Sequence, residues 1–567
     1  MITPPRGDMA EIEIRPEQIK TSLRERALVA VTIILALIIA MPILSVTVSL
    51  FQSGDGVLAH LAETRLKVYI WNTIQLALIV GVGAGVVGIG AAWLVTMCRF
   101  PGRQWLEWGL ALPLAFPAYV LAYAYTNLLD HAGPVQSGLR AAFEWGPRDY
   151  WFPEIRSLGG AGVMLALVLY PYVYLLARAA FLQQSVAAFD VARTLGYGPW
   201  RAFGRVAVPM ARPAIATGIA LALMETLADF GTVSHFGVST FATGIYRSWL
   251  LMGDRIAAAQ LSACLLIFVL VLLVMERTQR RAAQYHQTGK KYQVLPEFQL
   301  TGARAWLASG FCAVPTFFGF ILPLIVLSRM TAIGGHSLFG PRYLGFALNS
   351  LILAGTAAVL TVLIAVCLAY ASRLVNRPSV RFANMVASLG YAVPGSVIAV
   401  GLLLPLGAFD NWLDSVMEAQ FGISTGLLLT GSIAALIFAY IVRFMSVALQ
   451  TVEAGLGKVT SSMDHAARTL GQGAGGAFVR VHAPLIRGGL LTAALIVFVD
   501  VMKELPATLI MRPFNFDTLA VQAYRLAADE RLLQASTPSL AIVAVGLIPV
   551  VLLSWQIRRS RPGSTEE

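Results

Sequence analysis

The chain has 567 residues, of which 57% are hydrophobic and 13% charged, and its formal net charge is +12. A soluble globular chain carries about 25% charged residues, so this one cannot coat a water-facing surface of its size, and its apolar content excludes a disordered polymer. The composition is that of a polytopic membrane protein, whose positive charge reflects asymmetric loops rather than an affinity for nucleic acid.

Residues 1–26 form a polar tail of mixed charge. The apolar run 27–50 is too long for a signal-peptide core and has no small-x-small cleavage site, so it reads as an uncleaved first span. A helix needs about 20 apolar residues to cross the hydrocarbon core. Segments near 27–50, 73–97, 106–128, 159–178, 214–236 and 257–275 satisfy that in the first half. Segments near 306–327, 349–371, 382–406, 427–447, 488–511 and 539–555 do so in the second. The expected fold is therefore all-α with about 12 transmembrane helices. With both termini in the cytoplasm, 29 of the 42 Lys and Arg residues fall inside and 12 outside, and Lys503 lies within a span. The outside loop 407–426 carries only acids, Asp410, Asp414 and Glu418. Cys98, Cys264, Cys312 and Cys367 are isolated and the seven His are scattered, so neither a disulfide framework nor a metal centre is expected.

The halves repeat. Asn72 and Asn349 open spans 2 and 8, and Pro117 and Pro394 lie inside spans 3 and 9, both pairs 277 residues apart. Arg193, Gly196 and Pro209 recur 275 residues later as Arg468, Gly471 and Pro484. Six spans separate each pair, so the copies are parallel. The division that follows is a tail (1–26), a first half (27–275, repeat core 68–275), a cytoplasmic linker (276–305), a second half (306–556, repeat core 345–556) and a tail (557–567).

Each half has a long inside loop before its fifth span. One holds Asp190, Ala192, Arg193 and Gly196, then Pro209; the other holds His465, Ala466, Ala467, Arg468 and Gly471, then Pro484. The pattern reads as a short helix, a glycine turn that needs positive φ, a second short helix, and a proline opening the next span. No G-x-x-x-x-G-K-[ST] phosphate loop occurs.

These loops resemble the E-A-A-x-x-x-G coupling loop of type I ABC importer permeases. They depart from it at the first position, where Asp190 and His465 stand (Asp464 precedes the latter), and at Val191. The resemblance implies a fold of two parallel six-helix repeats, in a multi-pass subunit of the bacterial inner membrane. It also implies that the chain is not an enzyme. ATP is used by a partner ABC ATPase, a homodimer gripping both loops, and an extracytoplasmic binding protein delivers the substrate. No cofactor is bound by this chain and no residue is catalytic.

Two further stretches carry acids. Glu225 and Asp229 are spaced i,i+4, as are Asp500 and Glu504 at a separation of 275, so each pair is expected on one helix face. Charges at membrane depth face a cavity or a partner. The four either line a cation pathway, since carboxylates suit hard cations, or brace the fold, with Lys503 neutralising a neighbour. The stretches 225–231, 500–508 and 512–520 resemble the iron(III) permeases of ferric-binding-protein systems, which implies iron(III) as substrate. Fused permeases for thiamine or a phosphonate, and an ion-coupled secondary transporter, are the alternatives.

Overall fold

In a computed structural model the chain is described over residues 23–52, 57–182, 194–281, 298–335, 340–375 and 377–559. Among the described residues, eleven helices are long and apolar enough to cross a membrane, and one bent pair makes a twelfth. In the first half they are α1 (Leu23–Ser49), α2 (Leu66–Met97), the bent pair to which α3 (Ala118–Leu129) belongs with Arg103–Ala115, α4 (Leu158–Leu182), α5 (Val208–Ala228) and α6 (Arg255–Arg281). In the second they are α7 (Ala303–Gly334), α8 (Pro341–Leu374), α9 (Gly395–Phe421), α10 (Ile433–Leu456), α11 (Ala483–Met502) and α12 (Leu532–Arg559). The chain is an all-α, multi-pass membrane protein of two six-helix repeats.

The repeat is visible in single contacts. Asn72 Nδ2 donates to the Ser239 carbonyl at 2.9 Å, and Asn349 Nδ2 donates to the Asp517 carbonyl at 3.1 Å. Both asparagines stitch a long helix to the segment beyond their half's fifth span. Arg178 pairs with Glu107 in the first half. At the matching place in the second, Asn384 Nδ2 donates to Glu453 Oε1 at 3.2 Å, so the contact survives a change of chemistry.

Two expected spans are placed differently. Pro117 lies inside the third span but breaks its helix, and Pro394 caps the start of the ninth instead of lying within it. The residue before a proline is pushed out of the α region, and Phe116 (φ −87, ψ 125) and Val393 (φ −86, ψ 125) are both extended. The third span is thereby bent by 95°. The ninth begins at Gly395 rather than near 382, and Pro378–Ala387 is a separate short helix. The expected loop 407–426 is helical as far as Phe421. Two of its acids, Asp410 and Asp414, shape the turn, while Glu418 is exposed. Buried Asp410 accepts from the Leu429 and Thr430 backbone N–H groups at 3.1 and 2.7 Å. Asp414 accepts from the Thr425 and Gly426 N–H groups at 2.7 and 2.9 Å.

Prolines 209, 323 and 484 stand in the first turn of an α-helical segment, and each follows a π turn, at Phe203–Ala207, Phe317–Ile321 and Phe478–His482, that joins it to the helix before. The widened turn makes room where the ring would strike the carbonyl four residues back.

The halves interlock. α1 packs on Pro378–Ala387 and α9 of the second half, while α7 packs on α2, α3 and Arg103–Gly109 of the first. Gly401 of α9 is required for the first contact, since a Cβ there would strike the Pro42 carbonyl of α1. Two parallel two-residue strands, β1 (Cys98–Arg99) and β2 (Phe298–Gln299), tie the end of α2 to the approach to α7.

Candidate functional site

The second coupling loop lies among the described residues. Its first helix is Ser461–Thr469, and it ends in Gly471 at φ +75. Gly196 has φ +73, so both loop glycines take the left-handed turn their pattern implies. Asp190, Ala192 and Arg193 lie outside the described residues. His465, Ala466 and Arg468 are exposed and Ala467 is buried.

The acid that anchors this loop is Asp464, not a group at the position of exposed His465. Arg373 Nη2 donates to Asp464 Oδ2 at 2.7 Å and to the Val459 carbonyl at 2.8 Å, and His482 Nε2 lies 2.6 Å from Asp464 Oδ1. Burial pushes the Asp464 carboxyl up, but the bonds from Arg373 and His482 outweigh it and hold the group below the usual carboxylate range. Arg373 and His482 carry no motif of their own, so sequence reading missed them. It also passed over Leu195 and Leu470, which precede the two glycines. They are 65% and 78% exposed, at matching positions 275 residues apart. Exposed leucines on two symmetry-related turns make a pair of apolar contacts for a partner.

At mid-span, all four predicted acids line one cavity of about 120 Å³ between the halves. They do not occupy one helix face in pairs. α5 ends at Ala228 and Asp229 is extended (ψ 127); α11 ends at Met502, with Lys503 as its cap. The second acid of each pair bonds backbone ahead of it instead, in competition with the helix. Asp229 Oδ2 accepts from Val233 N at 3.1 Å and its Oδ1 from Thr232 Oγ1 at 2.9 Å. Glu504 accepts from Ala507 N at 3.0 Å, Thr508 N at 3.1 Å and Thr508 Oγ1 at 2.8 Å. These bonds start the short helices Gly231–His235 and Pro506–Met511.

The four acids therefore differ in what holds them. Arg443 Nη1 binds Glu504 Oε1 at 3.1 Å, with 11% and 2% of the side chains exposed. Lys503 Nζ binds Asp500 Oδ1 at 2.8 Å, so Lys503 does neutralise a neighbour. Asp229 has its cap but no cation, since Val168 stands where Arg443 stands in the other half. Glu225 accepts no hydrogen bond and joins no ion pair among the described residues. Four carboxylates face two cations, which leaves two negative charges uncompensated. Tyr119, Tyr172 and Tyr391 share the wall. Among the described residues no three His, Cys, Asp or Glu side chains come together to hold a metal.

On the side away from the loops the cavity is roofed by rings. Phe230 lies 5.5 Å from Tyr524 of the second half and 4.4 Å from Tyr246, and Ser234 Oγ is 3.2 Å from the Tyr524 hydroxyl. Beyond them Arg156 makes a two-pronged contact with Glu530 at 2.7 and 2.9 Å and bonds Asp130 at 3.1 Å, bridging the halves.

A family model described as binding-protein-dependent transport system inner membrane component matches residues 84–284. The chain is 26% identical over 504 residues to the Fe(3+)-transport system permease protein FbpB 2 of Haemophilus influenzae, covering 87% of this chain and 90% of that one. It is 23% identical over 534 residues to the ferric transport system permease protein FbpB of Actinobacillus pleuropneumoniae, covering 88% and 73%. A shorter match, 32% over 149 residues, is to the molybdenum transport system permease protein ModB of Escherichia coli, covering 26% and 62%. With two permease repeats in one polypeptide, the chain is similar to the inner-membrane components of binding-protein-dependent transport systems.

Proposed function

We propose that the chain is the membrane pathway of an ATP-driven importer for iron(III), delivered by an extracytoplasmic binding protein. The observation that carries the substrate is the cavity: four carboxylates with two charges unbalanced, among tyrosine hydroxyls, at the depth where a hard cation needs oxygen ligands. Similarity to ferric permeases over most of the chain supports the same ion. An anionic phosphonate would be repelled there.

The motor is a separate ABC ATPase, since this chain has no phosphate loop. Two loops presenting the same Thr-Leu-Gly turn suit two copies of one ATPase subunit, with Leu195 and Leu470 as the apolar contacts. The distribution of Lys and Arg puts these loops and both termini in the cytoplasm, and the Arg156–Glu530 bridge outside. Within the cavity, Glu225 attracts and passes the cation, because among the described residues it is the acid with no hydrogen bond or ion pair. Asp229 and Glu504 hold the helix breaks in place.

The test is radiolabelled iron(III) uptake into proteoliposomes holding the permease with its ATPase and binding protein. Glu225→Gln keeps the size of the side chain and removes the charge. We expect uptake to fall at least tenfold while ATPase subunits stay bound. Uptake at the wild-type rate would refute the pathway, and uptake of thiamine but not iron would refute the substrate.

A further inference from the structure

A second cavity, of about 420 Å³, lies between the halves on the loop side of the acidic one. Thr217, Glu276, Ser388, Ser446 and Gln450 line it. Thr217 is eight residues before Glu225 on α5, and Gln450 seven after Arg443 on α10. At 1.5 Å per residue the two cavities are therefore offset by about 10–12 Å along the helices.

One residue, Tyr391, lines both cavities. It belongs to the 3₁₀ turn Ser388–Ala392, which ends at the break fixed by Pro394, so its backbone is set by a rigid corner. Tyr172, on α4 of the opposite half, lines the acidic cavity with it. The repeat counterparts of these tyrosines are Leu114 and Val447, which have no hydroxyl, so the hydroxyl pair occurs once, off the pseudo-symmetry axis.

We infer that Tyr391 is the inner gate between the acidic cavity and an exit vestibule lined by Thr217, Glu276 and Gln450. It deepens the proposed function and rests on cargo crossing the acidic cavity. The ring blocks the neck while the halves are together. When the halves separate, Tyr391 leaves with the second half and opens the way toward Glu276, whose carboxylate accepts from Thr217 Oγ1 at 2.8 Å.

The test needs no iron. The full chain with its ATPase is placed in inside-out membrane vesicles, its four native cysteines replaced by alanine, and a cationic, membrane-impermeant thiol reagent is added. Ser388→Cys in the vestibule should react readily. Glu225→Cys should react slowly with Tyr391 in place and at least tenfold faster when Tyr391→Ala is added. Tyr391→Phe, which keeps the ring, should raise the rate by less. Leu114→Ala, a truncation at the repeat-related wall position, should leave the Glu225→Cys rate unchanged. Equal Glu225→Cys rates with and without Tyr391→Ala would overturn the gate, as would equal opening by Leu114→Ala. If labelling behaves as expected but iron is not transported, the gate stands and the substrate assignment falls.

Discussion

Glu225 and Glu504 line the same cavity, yet opposite outcomes are expected when each is changed to Gln. Glu504 is 2% exposed, bonded to Arg443 and to three donors of the following turn. Glu504→Gln leaves Arg443, itself 11% exposed, without its counter-charge. Breaking one partner of a buried pair costs about 3–5 kcal/mol. That is about two to three and a half orders of magnitude in the ratio of folded to unfolded protein. Glu225 has no bond to lose, so Glu225→Gln should stay within about 0.5 kcal/mol of wild type while transport collapses. Thermal unfolding of the purified complex in detergent, followed by tryptophan emission, reads the stability, and proteoliposome uptake reads transport. The reasoning is wrong if Glu225→Gln destabilises as much as Glu504→Gln, or if Glu504→Gln unfolds at the wild-type temperature.

A Cβ on Gly395 would strike both Arg443 Nη1 and Glu504 Oε1, so Gly395→Ala should lower stability much as Glu504→Gln does, and combining the two should cost less than their sum. Gly471→Pro with Gly196→Pro should leave the chain in the membrane but release the ATPase, because Pro fixes φ near −65° where +75 and +73 are needed; co-purification at wild-type yield would count against the loops. A cysteine within 280–292 should be labelled only from the cytoplasm, and Ala419→Cys, at the exposed end of α9, only from outside; reversed labelling would overturn the orientation. The hydrogen bond from Arg156 holds the Glu530 carboxyl below its usual range, so this bridge contributes above the unfolded carboxylate value and is lost as pH falls through the depressed one. A double-mutant cycle of Arg156→Met and Glu530→Gln should therefore give at most about 1 kcal/mol at pH 7, for so exposed a pair, and vanish in acid; coupling that persists there would refute the assignment.

The repeat, the loop glycines and the four cavity acids were legible because each depends on residue type at fixed spacing. Asn72 and Asn349 recur because one hydrogen bond is needed twice. The i,i+4 spacing of the acids misled, since periodicity assumes a continuous helix. Asp229 and Glu504 end the helix by bonding the backbone ahead of it, which hydropathy does not register. Pro117 and Pro394 were visible as prolines but not as helix breaks, because the residues on both sides are equally apolar. The anchors Arg373, His482 and Arg443 come from distant segments, so no local pattern could join them to Asp464 and Glu504.

The interlocking of α1 with the second half has a consequence for biogenesis. α1 is synthesised first, but the surface it docks on, Pro378–Ala387 and α9, leaves the ribosome more than three hundred residues later. Throughout that interval the first helix waits in the bilayer with only lipid and its weaker neighbours for company. A permease of this design therefore closes late, as a clasp rather than as two finished modules. Halves expressed as separate chains should each lack one arm and regain a stable assembly only when made together.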